Sequence, residues 1–555
     1  MSALSFSKAL RNGSSALALS TIALIGAQPA FATDGIFGGG STLASLAERA
    51  LGDDYLPRTS SPSVLLLYAG VGSGSGLRGY ITNDPQDLFL GTGSYPASNP
   101  PYLFPSLGFS SYPYPRIDFG ASDSPLPSNF VTGYNTTSYS WSGGATTANG
   151  TVTFAVANFG APIQLPLFEA PVAIAINAPA SGTGVWTIHS QGTRSAAGGA
   201  IQLSTAQVCA IFSGLVKDWS STANIPYLKN DGTTGVEAFD ASNTPGTAVP
   251  YTSSTTPIDV VYRSDGSGTS FIFTNYLKAV CPLLDPTNAY GYTSIFSTSN
   301  LPNVNFSNLI GNINAVRGAS ATSNWIGASG SDAVAAAISN YTSASTWAGR
   351  IGYLSNDFVT PQNTASTAPN GASVQNDYLR LHQVYHPGDA GNLGSAQNFI
   401  APTPTSADAA WGVLSTPASA TFTDWNVYAQ TFPATTYLPG SGTSVSITGL
   451  SKLPLAPATG AYSLVGTAYG FVYSCYGTGR DGVAADIRAT DLTGYLTYHY
   501  TNSNAKTIIS NNGFSPLPAA WVTAITNDYL GGASSSISDT VNGGNGCSGV
   551  TGGAQ

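Results

Sequence analysis

The stretch Arg263-Ser264-Asp265-Gly266-Ser267-Gly268-Thr269-Ser270 follows a predicted strand, Ile258 to Tyr262, and precedes the apolar run Phe271-Ile272-Phe273. It combines one fixed cation, several hydroxyls and two glycines at the start of a helix predicted over residues 271–280. Backbone N–H groups at a helix start are unpaired and favour anions, and a guanidinium can donate two hydrogen bonds to one oxyanion. The stretch therefore predicts a site for a small oxyanion.

Asp265 lies two residues from Arg263 in this stretch. A carboxylate in contact with an anion would repel it. We therefore expect Asp265 to hold the guanidinium of Arg263 by a salt bridge and not to touch the ligand.

Composition narrows the class of protein. The chain has 555 residues, enough for two to four domains, and 42% of them are hydrophobic, which argues against general disorder. Only 8% are charged and the formal net charge is −9. This charge disfavours nucleic acid and anionic membrane surfaces as partners, but it says little about small anions. The protein is expected to be a monomer.

The N-terminus has the pattern of a signal peptide over residues 1–33. Lys8 and Arg11 form a basic region, Ala16 to Ile25 is apolar, and Ala30-Phe31-Ala32 fits a cleavage site. No later stretch reaches the ~18 apolar residues of a membrane-spanning helix, so no membrane insertion is expected. The sequence predicts a periplasmic or secreted protein whose mature chain starts near Thr33 or Asp34.

Four cysteines are present: Cys209, Cys281, Cys475 and Cys547. In an oxidising compartment an even number of cysteines favours disulfides. Pairing of neighbours gives Cys209–Cys281 and Cys475–Cys547. A zinc site made by all four is the alternative, which the absence of C-x-x-C spacing disfavours.

Strand and helix patterns alternate along the chain and predict an α/β architecture. Val64 to Tyr68 and Val172 to Ile176 are typical of buried strands, and residues 204–219 have helical spacing with Ser204 as N-cap. Residues 34–43 are interpreted as a glycine-rich turn before a helix. Insertions are expected at 133–160, a hairpin, and at 223–256 and 356–460.

Four segments together resemble one family. Besides the stretch from Arg263, these are Gly40-Ser41-Thr42-Leu43, Gly70-Val71-Gly72-Ser73-Gly74 and Gly120-Ala121-Ser122-Asp123-Ser124-Pro125-Leu126. In this order they are similar to the ligand segments of the phosphate-binding proteins that serve ABC phosphate transporters. The start Asp34-Gly-Ile-Phe-Gly-Gly-Gly-Ser-Thr-Leu43 resembles the DING proteins more narrowly, with departures at Gly35 and Phe37.

The resemblance implies a set of residues that contact phosphate: Thr42, the backbone of Leu43, Ser73, Asp123, Arg263, Ser267, Gly268 and Thr269. Asp123 is the informative member, because a carboxylate favours an anion only if that anion carries a proton to donate. Hydrogen phosphate carries one and sulfate at neutral pH does not. The resemblance thus predicts phosphate and arsenate over sulfate.

The resemblance also implies a two-lobed periplasmic-binding-protein fold of type II, with the anion between lobes that close on it. Lobe 1 would comprise residues 34–172 and 461–555, and lobe 2 residues 173–460. Each disulfide would lie within one lobe.

Three functions remain open at this point. The favoured one is a binding protein for inorganic phosphate, with an ABC permease as a possible partner and no catalysis, cofactor or metal. The second is a DING-like phosphatase, which would need a nucleophile with a base or a metal-activated water. The third is a surface or adhesion module made by the insertions. His382 and His386 have metal-pair spacing, but Pro387 follows them, which favours a surface turn.

Overall fold

Helices and strands alternate along most of the structure, a computed structural model. It describes residues 35–59, 63–88, 114–134, 139–141, 150–176, 201–219, 221–228, 233–239, 257–339, 350–359, 370–375, 399–433, 446–456, 458, 460–532 and 536–555. The predicted signal peptide, His382 and His386 lie outside the described residues. Within them, no helix is both long enough and apolar enough to cross a bilayer.

The strands of the described residues are numbered in chain order: Gly35–Gly40 (β1), Leu65–Gly70 (β2), Phe119–Ser122 (β3), Tyr139–Trp141 (β4), Gly150–Val152 (β5), Pro162–Ile176 (β6), Ile201–Leu203 (β7), Asn224–Leu228 (β8), Thr234–Ala238 (β9), Asp259–Arg263 (β10), Ile326–Ala328 (β11), Arg350–Ser355 (β12), Asn370–Gln375 (β13), Phe399–Ile400 (β14), Val465–Tyr473 (β15), Cys475–Tyr476 (β16), Ser515–Pro516 (β17) and Ser538–Asp539 (β18).

The α-helices of the same residues are Ser45–Tyr55 (α1), Ser73–Thr82 (α2), Ser128–Gly133 (α3), Val156–Phe159 (α4), Thr205–Phe212 (α5), Gly268–Leu284 (α6), Tyr292–Phe296 (α7), Ser307–Arg317 (α8), Ser331–Ser339 (α9), Pro404–Trp411 (α10), Ala485–Thr501 (α11), Ser503–Asn511 (α12) and Ala519–Ile525 (α13).

One large sheet organises these elements, with the strand order β11-β10-β12-β6-β15-β3-β1-β2 along its main path. Strands β2, β1 and β3 are mutually parallel and form the first half-sheet together with the antiparallel β15. Strands β11, β10 and β12 are parallel and form the second half-sheet. Parallel strands end at a common edge, so each half-sheet presents its connecting loops on one side.

The long strand β6 joins the two half-sheets. Residues 162–171 pair with β15, whereas Val172–Ile176 pair with β12. All fifteen residues of β6 are buried, as expected for a strand covered on both faces. The sequence pattern predicted only its second part, because the polar and proline residues in 162–171 hide the apolar run.

The interpretation of residues 34–43 as a turn is wrong, because Gly35–Gly40 is the buried strand β1. Its glycines allow a helix to approach closely and do not make a reversal. A Cβ on Gly40 would lie 2.0 Å from Ala121 O and 2.6 Å from Gly76 Cα. Helix α2 thus packs directly on β1 and β3, which no larger side chain would permit.

The two disulfides have the predicted pairing, Cys209–Cys281 and Cys475–Cys547, so the zinc alternative is wrong. The first joins α5 to α6 beside the second half-sheet. The second joins β16 to the C-terminal segment. The predicted hairpin at 133–160 is confirmed by the antiparallel pair β4–β5. The lobe boundaries at 172/173 and 460/461 remain predictions, and residues 34–555 form one compact unit.

The two disulfides are predicted to differ in their rates of reduction. Cys209 and Cys281 are both fully buried, whereas Cys547 is partly exposed, and thiol exchange requires access to a sulfur. Under mild dithiothreitol at neutral pH, alkylation followed by peptide mass spectrometry should therefore label Cys475 and Cys547 well before Cys209 and Cys281. Equal labelling rates in the folded protein would contradict this order.

Candidate anion-binding site

The residues predicted to bind the anion lie at or just after the carboxyl ends of strands in both half-sheets. Thr42 follows β1, Ser73 follows β2, Asp123 follows β3, and Arg263 ends β10. Within each half-sheet the carboxyl ends of the parallel strands lie at one edge, which is where α/β folds place their ligands. The two edges are in contact through Gly74 N and Gly266 O, and the place where they meet is called the anion site below.

Arg263 supplies the charge of this site and is only 1% exposed. Its Nε donates to Asp265 Oδ1 over 2.6 Å, and its Nη2 donates to Asp265 Oδ2. The ion pair expected of Asp265 is therefore present. Asp265 Oδ1 also accepts the backbone N–H of Gly330 over 3.1 Å. Burial acts to raise the pKa of Asp265, but the neighbouring guanidinium keeps it below its usual value. Asp265 therefore stays ionised and holds the Arg263 guanidinium in place.

Asp123 is buried opposite these groups at the end of β3, with 1% exposure. Its Oδ1 accepts the hydroxyl of Ser41 over 2.6 Å, and Ser73 Oγ lies 3.4 Å from Oδ2. Burial raises the pKa of Asp123 to about 7, against the opposing effects of Ser41, the charge of Arg263, and Ser73. The carboxyl group is thus poised to accept or hold a proton near neutral pH.

Helix α6 starts directly against Asp123. Ser267 is its N-cap and accepts the backbone N–H of Ser270 over 3.2 Å. A Cβ on Gly268 would lie 2.5 Å from Asp123 N and 2.6 Å from Ser73 Oγ. Glycine is required there because the backbone of α6 touches the first half-sheet.

A backbone hydrogen bond also links the two sides of the site. Gly74 N, in the first turn of α2, donates to Gly266 O over 2.9 Å. The residues after β2 and those after β10 are therefore in direct contact, and the site between them is shielded from solvent.

Thr269 and Thr42 complete the set of hydroxyls. Thr269 Oγ1 is buried and makes no hydrogen bond to any described residue, which is costly unless a ligand pairs it. Thr42 Oγ1 lies 3.4 Å from Ser331 Oγ, and Arg263 Nη1 donates to the same Ser331 hydroxyl over 3.1 Å. Both sides thus meet at Ser331, the first residue of α9.

Three supporting residues were missed by the sequence analysis: Ser41, Ser331 and Tyr428. Ser41 lies in one of the ligand-like segments without a role of its own, and its hydroxyl donates to Asp123. The hydroxyl of Tyr428 donates to the backbone carbonyl of Asp123 over 3.0 Å. Part of the 356–460 insertion therefore supports the backbone of Asp123. Sequence alone does not show this contact, because Tyr428 lies 305 residues from Asp123.

A model described as the PBP superfamily domain matches residues 26–502. The chain belongs to the PBP superfamily. The predicted α/β, two-lobed periplasmic-binding-protein fold class is thereby confirmed, with β6 crossing between its half-sheets.

The relatives that are similar to this chain in sequence are named either as phosphatases or as phosphate-binding proteins. "Alkaline phosphatase L" of Pseudomonas aeruginosa (strain PAO1) is 24% identical over 94% of this chain and 94% of its own length. A "Phosphate-binding protein" from an unknown prokaryotic organism is 26% identical over 61% of this chain and 69% of its own.

The solved structures share the fold. A high affinity periplasmic phosphate-binding protein (PfluDING) bound with phosphate has a TM-score of 0.56 at 22% identity, covering 93% of this chain and 98% of its own. A DING protein structure has a TM-score of 0.55 at 22% identity, over 94% and 99%. The fold expected from the DING resemblance is therefore present.

Gly268→Ala is predicted to destabilise the folded protein by about 1–3 kcal/mol, because its methyl group would overlap the Asp123 backbone. The matched control is Gly311→Ala in α8, where a Cβ meets nothing within 4 Å and alanine should stabilise the helix by about 0.5–1 kcal/mol. Urea unfolding without added anions measures both. A Gly268→Ala protein as stable as the wild type would contradict the close packing.

Proposed function

We propose that this protein binds inorganic phosphate, taking hydrogen phosphate in preference to sulfate. The observation that carries the proposal is Asp123, a buried carboxyl group among the hydroxyl, guanidinium and backbone N–H donors of the site. Arg263 and the start of α6 would pair with the anion's oxygens. Asp123 would accept the proton that hydrogen phosphate carries and that sulfate lacks at neutral pH.

Selectivity would then arise from repulsion of the wrong anion. With sulfate, an ionised Asp123 would face an oxygen with no proton, buried and without solvent to screen the two charges. The phosphate named for one relative and bound in one solved structure of this fold supports the ligand class. All eight predicted ligand residues would take part: Thr42, Leu43, Ser73, Asp123, Arg263, Ser267, Gly268 and Thr269.

The cellular role that fits this proposal is extracytoplasmic capture of phosphate for uptake or scavenging. Two disulfides are typical of proteins in an oxidising compartment. A permease of the ABC type would be the partner that receives the ligand.

A phosphatase is the second candidate, because a relative named alkaline phosphatase aligns over nearly the whole chain. Ser267 and Thr42 are two candidate nucleophiles among the predicted ligand residues. The Ser267 hydroxyl accepts from Ser270 N and the Thr42 hydroxyl contacts Ser331, and neither contacts a carboxylate or histidine among the described residues. The tight contact of α6 with Asp123 also leaves little room for an ester group, so we favour binding without turnover.

Calorimetric titration of ligand-stripped protein tests the proposal. Wild-type protein should bind phosphate with submicromolar affinity and give no heat with sulfate. Arg263→Ala should weaken phosphate binding by about 3 kcal/mol, roughly a hundredfold, because it removes the buried charge. Asp123→Asn should lose selectivity and begin to bind sulfate, since the amide can donate to an oxygen that the ionised carboxylate repels.

The control for Arg263→Ala is Arg58→Ala, which removes an arginine exposed at the surface and paired with Asp54 and should leave both affinities unchanged. Hydrolysis of p-nitrophenyl phosphate is measured on the same samples. Absence of heat with phosphate would refute phosphate binding. Turnover that disappears in Arg263→Ala would instead establish the phosphatase.

A further inference from the structure

A third buried carboxyl group, besides Asp123 and Asp265, lies next to the anion site. Asp357 follows β12 in the short 3-10 turn Asn356–Phe358 and is 6% exposed. Its Oδ2 is buried and makes no hydrogen bond to any described residue. A buried carboxylate with an unpaired oxygen and no counter-ion would be costly, so its protonation state needs an explanation.

The hydroxyl of Ser355 connects Asp357 to the anion site. Ser355 Oγ lies 3.3 Å from the backbone carbonyl of Leu43, and it also contacts Asp357 Oδ1. Leu43 is one of the predicted ligand residues, and its carbonyl belongs to the segment that carries Thr42. Ser355 itself is fully buried, so solvent does not supply partners for these groups.

The number of available protons favours one direction for each hydrogen bond. A serine hydroxyl has one proton to donate, but Ser355 contacts two oxygens, and the Leu43 carbonyl can only accept. An ionised Asp357 would have to share the single Ser355 proton with Leu43. A protonated Asp357 can donate to Ser355, which then donates its own proton to Leu43, so that each contact has a proton of its own.

We propose that Asp357 is a positioning residue of the anion site, which acts in its protonated form and holds the Thr42–Leu43 segment through Ser355. This inference rests on the proposed function and deepens it, because it makes phosphate affinity depend on a proton that is separate from the one shared with Asp123. Loss of the proton removes the donor from Leu43 O and places a second negative charge near the anion.

The electrostatic surroundings agree with this assignment. Burial raises the pKa of Asp357 to about 8; the Ser355 hydroxyl and the backbone N–H groups of Asp357 and Phe358 oppose this rise, and the like charge of Asp123 adds to it. The turn packs against β6 and α9. On those elements Asp332 is exposed to solvent, and Glu169 is buried beside Asp408, which helps to raise its own pKa.

The protonation of Asp357 sets the direction in which phosphate affinity changes with pH. Below about pH 8 Asp357 is protonated and the segment is held, so affinity is complete. Above that pH the binding-competent form becomes rarer, and the dissociation constant should rise by about tenfold per pH unit through linkage. Phosphate and Asp123 also change their ionisation in this pH range. Comparison with a variant that lacks only the titration of Asp357 separates its effect from theirs.

Asp357→Asn is that variant, because an amide N–H can donate to Ser355 in place of the carboxyl proton and does not titrate. Phosphate titrations of both proteins between pH 6.5 and 9 give the ratio of their dissociation constants. We expect a ratio near one at pH 6.5–7, and about tenfold weaker binding by the wild type at pH 9. Asp53→Asn, which removes an exposed carboxylate on α1, should keep the wild-type profile.

Ser355→Ala supplies a second test that does not depend on the Asp357 variant. Removing the hydroxyl should weaken phosphate binding by about fivefold at pH 7, and the extra loss of affinity at high pH should become smaller because Asp357 is uncoupled from Leu43. A constant ratio for Asp357→Asn across the pH range would overturn the proposal, as would wild-type behaviour of Ser355→Ala. No phosphate binding by wild type at pH 7 would instead refute the proposed function itself.

Discussion

The anion site depends on one electrostatic arrangement: a buried guanidinium fixed by one carboxylate and faced by another. Arg263 is 1% exposed and paired through two nitrogens with Asp265, and its charge opposes the rise that burial causes in the pKa of Asp123. A buried charge is tolerated only where it is paired and hydrogen-bonded. Because Asp265 pairs with Nε and Nη2 on one edge of the Arg263 guanidinium, the hydroxyl and backbone N–H donors of the site remain available to a ligand.

The packing of the backbone makes this arrangement possible. Glycines at positions 40, 76 and 120 let α2 rest on the first half-sheet, and Gly268 lets α6 touch Asp123. Each position would place a Cβ within 3 Å of a neighbouring atom. These four glycines thus serve close approach between elements at the site. The insertions contribute as well, because the hydroxyl of Tyr428 donates to the backbone carbonyl of Asp123.

The sequence was informative wherever function imposes a local pattern. The stretch from Arg263 to Ser270 predicted a strand, an anion loop and a helix, and the structure has β10 and α6 there. The ion pair of Asp265 with Arg263 and both disulfides were likewise predictable, since Arg263 lies two residues away and the chain has only four cysteines. Whether the eight predicted residues bind phosphate stays a prediction, although the structure brings their segments together.

The residues that sequence alone could not reveal act through distant contacts. Ser331, Tyr428 and Ser355 carry no recognisable motif, and their importance arises from partners that lie 68 to 312 positions away. Asp357 acts through its neighbour Ser355. The strand β1 was mistaken for a turn because glycine in sequence usually signals a reversal. Here tertiary packing between two parallel neighbours outweighs that preference.

The most direct measurement is a crystal structure of the protein soaked with arsenate, which has the shape and protonation chemistry of phosphate and can be located by anomalous scattering of arsenic. The account predicts one strong arsenic peak between Asp123 and Arg263, with one arsenate oxygen in contact with the Asp123 carboxyl group. An arsenic peak elsewhere, or none at this site in crystals that have taken up arsenate, would contradict it.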